Sequence, residues 1–536
     1  MPASLLDPDY RFGASPLPGA SGGPPTDLLG LGQLQVAPPP QGQPDLGDAL
    51  GQTYQAVSDY IARQREQSRQ MGLLGDNGLP TGAGVVDAAG QWAQGLLAGT
   101  VAPGEVPAPG RLRVSTRVPT AVGTDTAAIH GNNDLQINTA AITGTTAEPK
   151  VAAKLQGYPD VLPAQPGQDN TASIEAATQH FADNMRWIYD RMDPEVRSQS
   201  AGWYDGAHKL TRDMADQYDV PHEAVAAMTA RLSPGTDWYQ NVSMTKRILD
   251  IAANHDATLA PEQLPFVQSY VDAQKRPAIQ GAMQAEVDGM SGKTYADMTD
   301  AQRSMFIRSL DESKTAADPT NAQYPMIHPS GVEIGTAQNP SGTAPASLGW
   351  QSLDNIEKAL KILRNPEAAN VSEQLGGAHK IRSFYNNIIE PNAPHGDVTV
   401  DTHQIAASHL LPIGISDPVV EHGMSGPPYA ASTGSTGLYG VYADATRRVA
   451  DQLNAENPGL NILPRQVQSV TWEGARGLFP SALKRNKSQV QAIRDLWSNS
   501  TDAAATRDAI GTSRGVTSSG DEPTRIPAPD WFGRYP

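Results

Sequence analysis

The sequence predicts a mainly α protein: a multi-helix domain over residues 171–500, preceded by a long extended Pro/Gly-rich arm with short helices and one or two strands. Three observations carry this expectation. Apolar residues recur at helical spacing through most of 171–500. Glycine and proline, 50 and 44 of the 536 residues, crowd toward the front of the chain. Period-two alternation of apolar and polar residues is confined to a short region near 111–142.

Residues 1–50 contain SPLPGASGGPPTDLLGLGQLQVAPPPQGQPDLGD. Prolines remove amide donors and glycines raise the entropy cost of ordering, so this stretch reads as an extended arm rather than an autonomous core. Leu28, Leu29, Leu31, Leu34 and Val36 give it short apolar groups, which leaves open a solvated tail or docking onto a partner. An amphipathic helix is expected over 52–73, ended by Gly72 and Gly75, and a second over 84–97. Residues 51–108 are read as a docking region of short helices. The first lysine of the chain is Lys150, so the front portion is poorly suited to gripping phosphate.

The region 109–170 is read as extended or β-like. RLRVSTRV (111–118) alternates at period two, NDLQINTAAI (133–142) does so more loosely, and PAQPGQDN (163–170) closes the region as a linker. Beyond it, helices are expected at 173–191, 201–218, 222–232, 237–254, 353–364, 379–389, 438–454 and 487–498. A loop or hairpin insertion is expected at 326–350, and 501–536 is polar enough to read as a flexible tail.

Composition narrows the function classes. Lys and Arg number 40 against 57 Asp and Glu, a net charge of −17, so the overall field gives no help toward DNA, RNA or anionic lipid. Zero cysteine excludes disulfides, thiolate zinc sites, cysteine-ligated iron–sulfur clusters and cysteine nucleophiles. No window approaches the ~18 consecutive apolar residues of a spanning helix, and the leading MPASLLDPDYRFGASP lacks a secretion signal's basic and apolar regions. The expectation is a chain with no membrane span.

Two stretches carry chemistry: LGGAHKI (375–381), opening a helix, and VTVDTH (398–403), opening another. A glycine-rich turn before a helix exposes backbone N–H groups at the positive end of the helix dipole, a workable phosphate site. A lysine just inside that helix can act as an amine nucleophile, and an aspartate at the next helix start can cap it while presenting a carboxylate.

This pair resembles the helix-hairpin-helix (HhH-GPD) DNA glycosylase superfamily, whose hairpin L-P-G-V-G-x-K is followed by V-D-T-H or V-D-V-H. The stretch AAMTARLSPGTDWYQN (226–241) is similar to the family's L-S-x-Q-x-T-D region. The resemblance implies that Gly376, Gly377 and Ala378 hold a DNA phosphate through backbone amides, with His379, Arg382 and His403 beside it. It further implies Lys380 as Schiff-base nucleophile and Asp401 as catalytic carboxylate of a DNA glycosylase/AP lyase. Two features depart from the pattern: the hairpin is one residue short if Leu375 anchors it, or has Ala378 at a glycine position, resisting a positive φ, if Lys380 does; and EPNAPHGD (390–397) lengthens the gap to Asp401. The plainer alternative, a solvated lysine and a helix cap on an inactive scaffold, stays open.

From Arg447 to Asp495, eight basic residues stand against four acids, with Trp472, Phe479 and Trp497 interleaved. Such a segment suits nucleic-acid contact through Lys484, Arg485 and Lys487, or is a solvated helix face with core aromatics. His403 and His409 are six residues apart and do not share a helical face, so no metal site is read, and no motif calls for a cofactor. The stretch 63–104, with MGLLGDNGLPTGAGVVDAAGQWAQGLLAGTVAPG, is similar to N-terminal segments of large multi-part proteins of tailed bacteriophages. That resemblance implies a virion-associated or injected protein, located in the virion or in the host cytoplasm after injection. Its arm would dock to other virion proteins and its helical domain would contact DNA. A purely structural assembly role is the alternative.

Overall fold

In a computed structural model of the chain, the described residues are 139–161, 166–339, 342–394, 396–424, 438–516 and 524–533. The expected arm, the helices at 52–73 and 84–97, the strand at 111–118 and the phage-like stretch 63–104 lie outside them. The described chain is mainly helical, with one two-stranded sheet. It divides into two compact units. His255–Asn321 belongs to one, and the described parts of Pro107–Asn254 and Ala322–Pro536 form the other.

The larger unit opens with α1 (Glu148–Gln156), in the region expected to be extended. Pro149 fits the first turn, where its missing N–H costs nothing, and Val151, Ala152 and Leu155 give the helix a buried face. The long α2 (Asn170–Arg191) starts at Asp169, whose carboxylate accepts from Ala172 N, and buries Ile174, Ala177, Phe181, Met185 and Ile188 along one stripe. A short helix outside the expected set, α3 (Pro194–Ala201), ends at Gly202, and the helix expected at 201–218 follows as α4 (Trp203–Tyr218). Next come α5 (His222–Arg231) and α6 (Trp238–Ala252), the latter capped by Asp237. Residues 224–230 of α5 are all buried, the mark of a helix surrounded on every side.

In the smaller unit, α7 (Leu264–Asp272), α8 (Pro277–Asp288) and α9 (Asp300–Ala317) pack together. Thr299 opens α9 with a capping box completed by Gln302. Inside it, Arg308 pairs with Glu312 at 2.8 Å and Glu312 accepts from the Tyr270 hydroxyl, so its buried charges are matched.

The larger unit resumes at an antiparallel hairpin, β1 (Pro325–Ile327) with β2 (Glu333–Thr336), whose register slips at a bulge. A Cβ on Gly206 of α4 would overlap the Pro329 carbonyl oxygen, so only glycine lets this turn approach the helix. Then follow α10 (Leu353–Arg364), α11 (Ala368–Leu375), α12 (His379–Ile389), α13 (Thr402–His409), α14 (Pro418–Met424), α15 (Tyr439–Glu456), α16 (Pro464–Leu478), α17 (Ser481–Arg485), α18 (Lys487–Ser498) and α19 (Ala503–Ser513).

Two helical groups organise this unit. Around α5 pack α4, α6, α10, α11 and α12; around α2 pack α1, α13, α15 and α16. Helix α4 touches both α12 and α16 and so bridges the groups. The segment expected as a flexible tail is instead folded in part. Asp502 caps α19, Arg507 donates to the Asn184 side chain at 2.6 Å, Ile526 N donates to Arg191 O at 3.1 Å, and Trp531 is buried. Those anchors sit among polar residues whose average composition conceals them.

Candidate active site around Lys380 and Asp401

Helix α11 ends at Gly376, which takes φ +68° while its N–H returns to Ser372 O and Glu373 O. Gly377 is exposed, and Ala378, at φ −83°, caps the start of α12. The positive φ therefore falls on Gly376, and Ala378 meets no backbone strain. Gly376, Gly377 and Ala378 make a three-residue turn that joins the two helices in a local hairpin. Arg382 is turned into that hairpin: its Nε donates to Gly376 O and its Nη2 to Ser372 O and Oγ, both at 2.9 Å. His379 is buried against the Tyr439 ring. These two residues brace the hairpin from within, whereas Gly377 and the first-turn amides of α12, which have no acceptor within their helix, lie at its tip.

Lys380, in the first turn of α12, is half-buried and donates from Nζ to Ser233 O at 3.0 Å. Ser233 belongs to the LSPGTD turn between α5 and α6, so the two motifs read from the sequence meet at this hydrogen bond. Burial pushes the Lys380 ammonium below the ordinary lysine range, and the Asp401 carboxylate partly offsets it.

Asp401 is the N-cap of α13. Its Oδ1 accepts from His403 N and Gln404 N, each at 2.9 Å, and its Oδ2 accepts from Trp472 Nε1 at 2.9 Å. The carboxylate is thus fixed in orientation from both α13 and α16, within electrostatic reach of Lys380.

Lys484, on α17, enters the same site. Its Nζ stands 3.3 Å from His403 Nδ1. Burial lowers its pKa to about 8; Asp401 raises it and Arg476 lowers it further. His403 is pushed well below the ordinary histidine range by burial, then by Lys484, Arg476 and Lys380, so the ring is neutral near pH 7. With Lys484 as donor, His403 Nδ1 is the acceptor. Arg485 and Lys487 are exposed farther along, at the end of α17 and the start of α18.

Aromatic rings line one side. Trp203 lies 4.7 Å from Trp238, 6.0 Å from Phe384 and 6.2 Å from Trp472 between ring centroids. The Trp472 ring also meets His403 edge-on at 5.5 Å and lies under the Arg476 guanidinium at 4.6 Å. The site therefore joins one oriented carboxylate, two amines of lowered basicity, a neutral imidazole and an aromatic wall. Helix α16, which brings Trp472 and Arg476, was not among the expected helices. Its signal was present in Pro464 at the first turn and Gln466, whose side chain accepts from Leu463 N.

A second cluster escaped the sequence reading. Asp160 is fully enclosed; its Oδ1 lies 2.8 Å from His409 Nδ1 and its Oδ2 3.4 Å from His180 Nε2. His409 Nε2 continues to the Tyr442 hydroxyl at 2.7 Å. Burial alone would raise the Asp160 pKa, but the two histidines outweigh it and hold the carboxyl well below its ordinary range. Asp160 and His409 stand 249 positions apart. This chain of groups ties α2, α13 and α15 together around the Phe181 ring.

A family model described as a family of unknown function (DUF7178) matches residues 168–280 and 334–478, just under half of the chain. The chain is similar to that family across α2–α7 and again from β2 through α16, so the matched portions include Lys380, Asp401 and Trp472. No curated protein and no solved structure matches it.

Proposed function

We propose that this chain contacts DNA through a glycosylase-like helical unit and acts on abasic sugars there. Lys380 is the amine that forms a Schiff base with the sugar aldehyde, and Asp401 is the carboxylate that steadies the developing positive charge. The single observation that carries the reading is their pairing: a half-buried lysine of lowered basicity, beside a hairpin, that feels the charge of a carboxylate locked by three hydrogen bonds. A free amine is the nucleophilic form, and the partial burial of Lys380 favours it. The exposed hairpin tip at Gly377 supports phosphate contact by backbone amides, and exposed Arg485 and Lys487 supply local positive charge.

The test is borohydride reduction of the chain mixed with abasic-site DNA. We expect a covalent adduct that Lys380→Ala abolishes. No adduct across several lesions and salt concentrations sinks the enzymatic reading.

One observation favours an inactive scaffold: the Lys380 amine already bonds Ser233 O, and both Asp401 oxygens are engaged within the fold. In that reading DNA binding survives Lys380→Ala and no adduct forms with any substrate. The virion setting rests on the resemblance of residues 63–104. It is tested by deleting residues 1–50, which should prevent incorporation into particles while the helical unit stays folded.

A further inference from the structure

We propose that Lys484 is the base that removes a proton from the Lys380-bound sugar, with His403 holding its amine in place. The inference rests on the Lys380 reading and extends it to strand cleavage.

The parts come from three helices, with Lys484 in contact with His403 and the charge of Lys380 felt at the same ring. Lys380 comes from α12, His403 and its capping Asp401 from α13, and Lys484 from α17. His403 is the hinge of the arrangement: Lys484 Nζ is 3.3 Å from its Nδ1, and the charge of Lys380 reaches the same ring. The groups facing Lys484 are Asp401 and His403 from α13 and Arg476 from α16. Asp401 draws the proton onto Lys484, whereas burial and Arg476 push it off. With its pKa near 8, Lys484 can take or release a proton close to neutrality, as a base in this chemistry requires. An ordinary surface lysine, near 10.4, could not.

The step balances as follows. The Lys380 amine and the sugar aldehyde take up a proton from solvent, lose water and form an iminium at C1′. The C2′–H bond breaks: its proton goes to neutral Lys484 and its electron pair flows toward the iminium, giving an enamine. The enamine then expels the 3′ oxygen with its phosphate as the C3′–O bond breaks. Water hydrolyses the remaining unsaturated iminium to the unsaturated aldehyde, frees Lys380 and releases a proton, and Lys484 returns its own proton to solvent.

Two variants of the full chain test this, Lys484→Met and Lys484→Arg, assayed for borohydride adduct and for strand cleavage of abasic-site DNA. We expect both to form the Lys380 adduct, which reports a folded site, and to cleave about 100-fold more slowly, the lower end of a general-base contribution. Arginine keeps the charge but cannot deprotonate, so it separates a base from an electrostatic role. The wild-type cleavage rate should rise with pH through about 8, where Lys484 loses its proton, and that rise should vanish in both variants. Cleavage at the wild-type rate by either variant overturns the inference and leaves the Lys380 reading standing. Absence of adduct from the wild type and both variants removes the Lys380 reading and this inference together.

Discussion

The hydrogen bond from Trp472 Nε1 to Asp401 Oδ2 connects α16 to the cap of α13, and a double-mutant cycle on Asp401→Ala and Trp472→Phe isolates it. Asp401→Ala removes the acceptor for two backbone amides, about 1 kcal/mol for a lost N-cap, and leaves the indole N–H without its partner, about 1–3 kcal/mol more. The single variant should therefore lose about 2–4 kcal/mol. Trp472→Phe keeps an aromatic ring against Trp203 and His403 but removes the N–H from a charged acceptor. The coupling between the two should be about 1.5–3 kcal/mol, the range for a hydrogen bond to an ionised group. Denaturant unfolding followed by far-ultraviolet circular dichroism measures it, with the transition of the larger unit fitted separately from that of His255–Asn321. A coupling below about 0.5 kcal/mol would show that the two groups act independently and that α16 does not orient the carboxylate.

Other consequences can be checked alongside. Asp160→Ala strips the carboxylate from His409 and His180 and should cost about 3–5 kcal/mol at neutral pH, measured by the same unfolding. Because the folded Asp160 pKa lies below its unfolded value, its stabilising effect is fully present above the unfolded pKa, and the variant's deficit should shrink as pH falls below about 4. A constant deficit from pH 7 to 3 would contradict this. Gly474→Ala drives a methyl into the Ile188 side chain and close to Met192 Sδ at 3.1 Å, so it should lower stability by about 1–3 kcal/mol; an unchanged unfolding midpoint would refute that packing.

Much of the helical layout is legible in the sequence where a side-chain cap precedes an apolar stripe. Ser352 before α10, Asp237 before α6 and Asn486 before α18 each accept from a first-turn amide, and the expected helices 353–364 and 487–498 coincide with those observed. Legibility fails where the buried stripe is thin or polar. Helix α16 buries Val467, Val470 and Leu478 beside Arg465, Gln468 and Glu473, so its apolar period is broken by polar groups that find partners in the fold: Gln468 accepts from Tyr204 on α4, Arg465 donates to Pro391 O and Glu473 pairs with Arg476 one turn on. Helix α1 and the 524–533 segment were hidden by surrounding proline, glycine and polar residues. Lys380 and Asp401 stand out in the sequence because each lies at the start of a helix. The Lys484–His403 contact and the Asp160–His409 pair arise from folding between distant segments, and no local spacing encodes them.

The most direct measurement of the central claim is mass-spectrometric mapping of the borohydride-reduced complex between the full chain and abasic-site DNA. We expect one adduct, carried by Lys380, lost in Lys380→Ala and strongly reduced in Asp401→Asn, which keeps a capping side chain but removes the charge. An adduct spread over exposed lysines, or none on Lys380 while the chain remains folded, would contradict it.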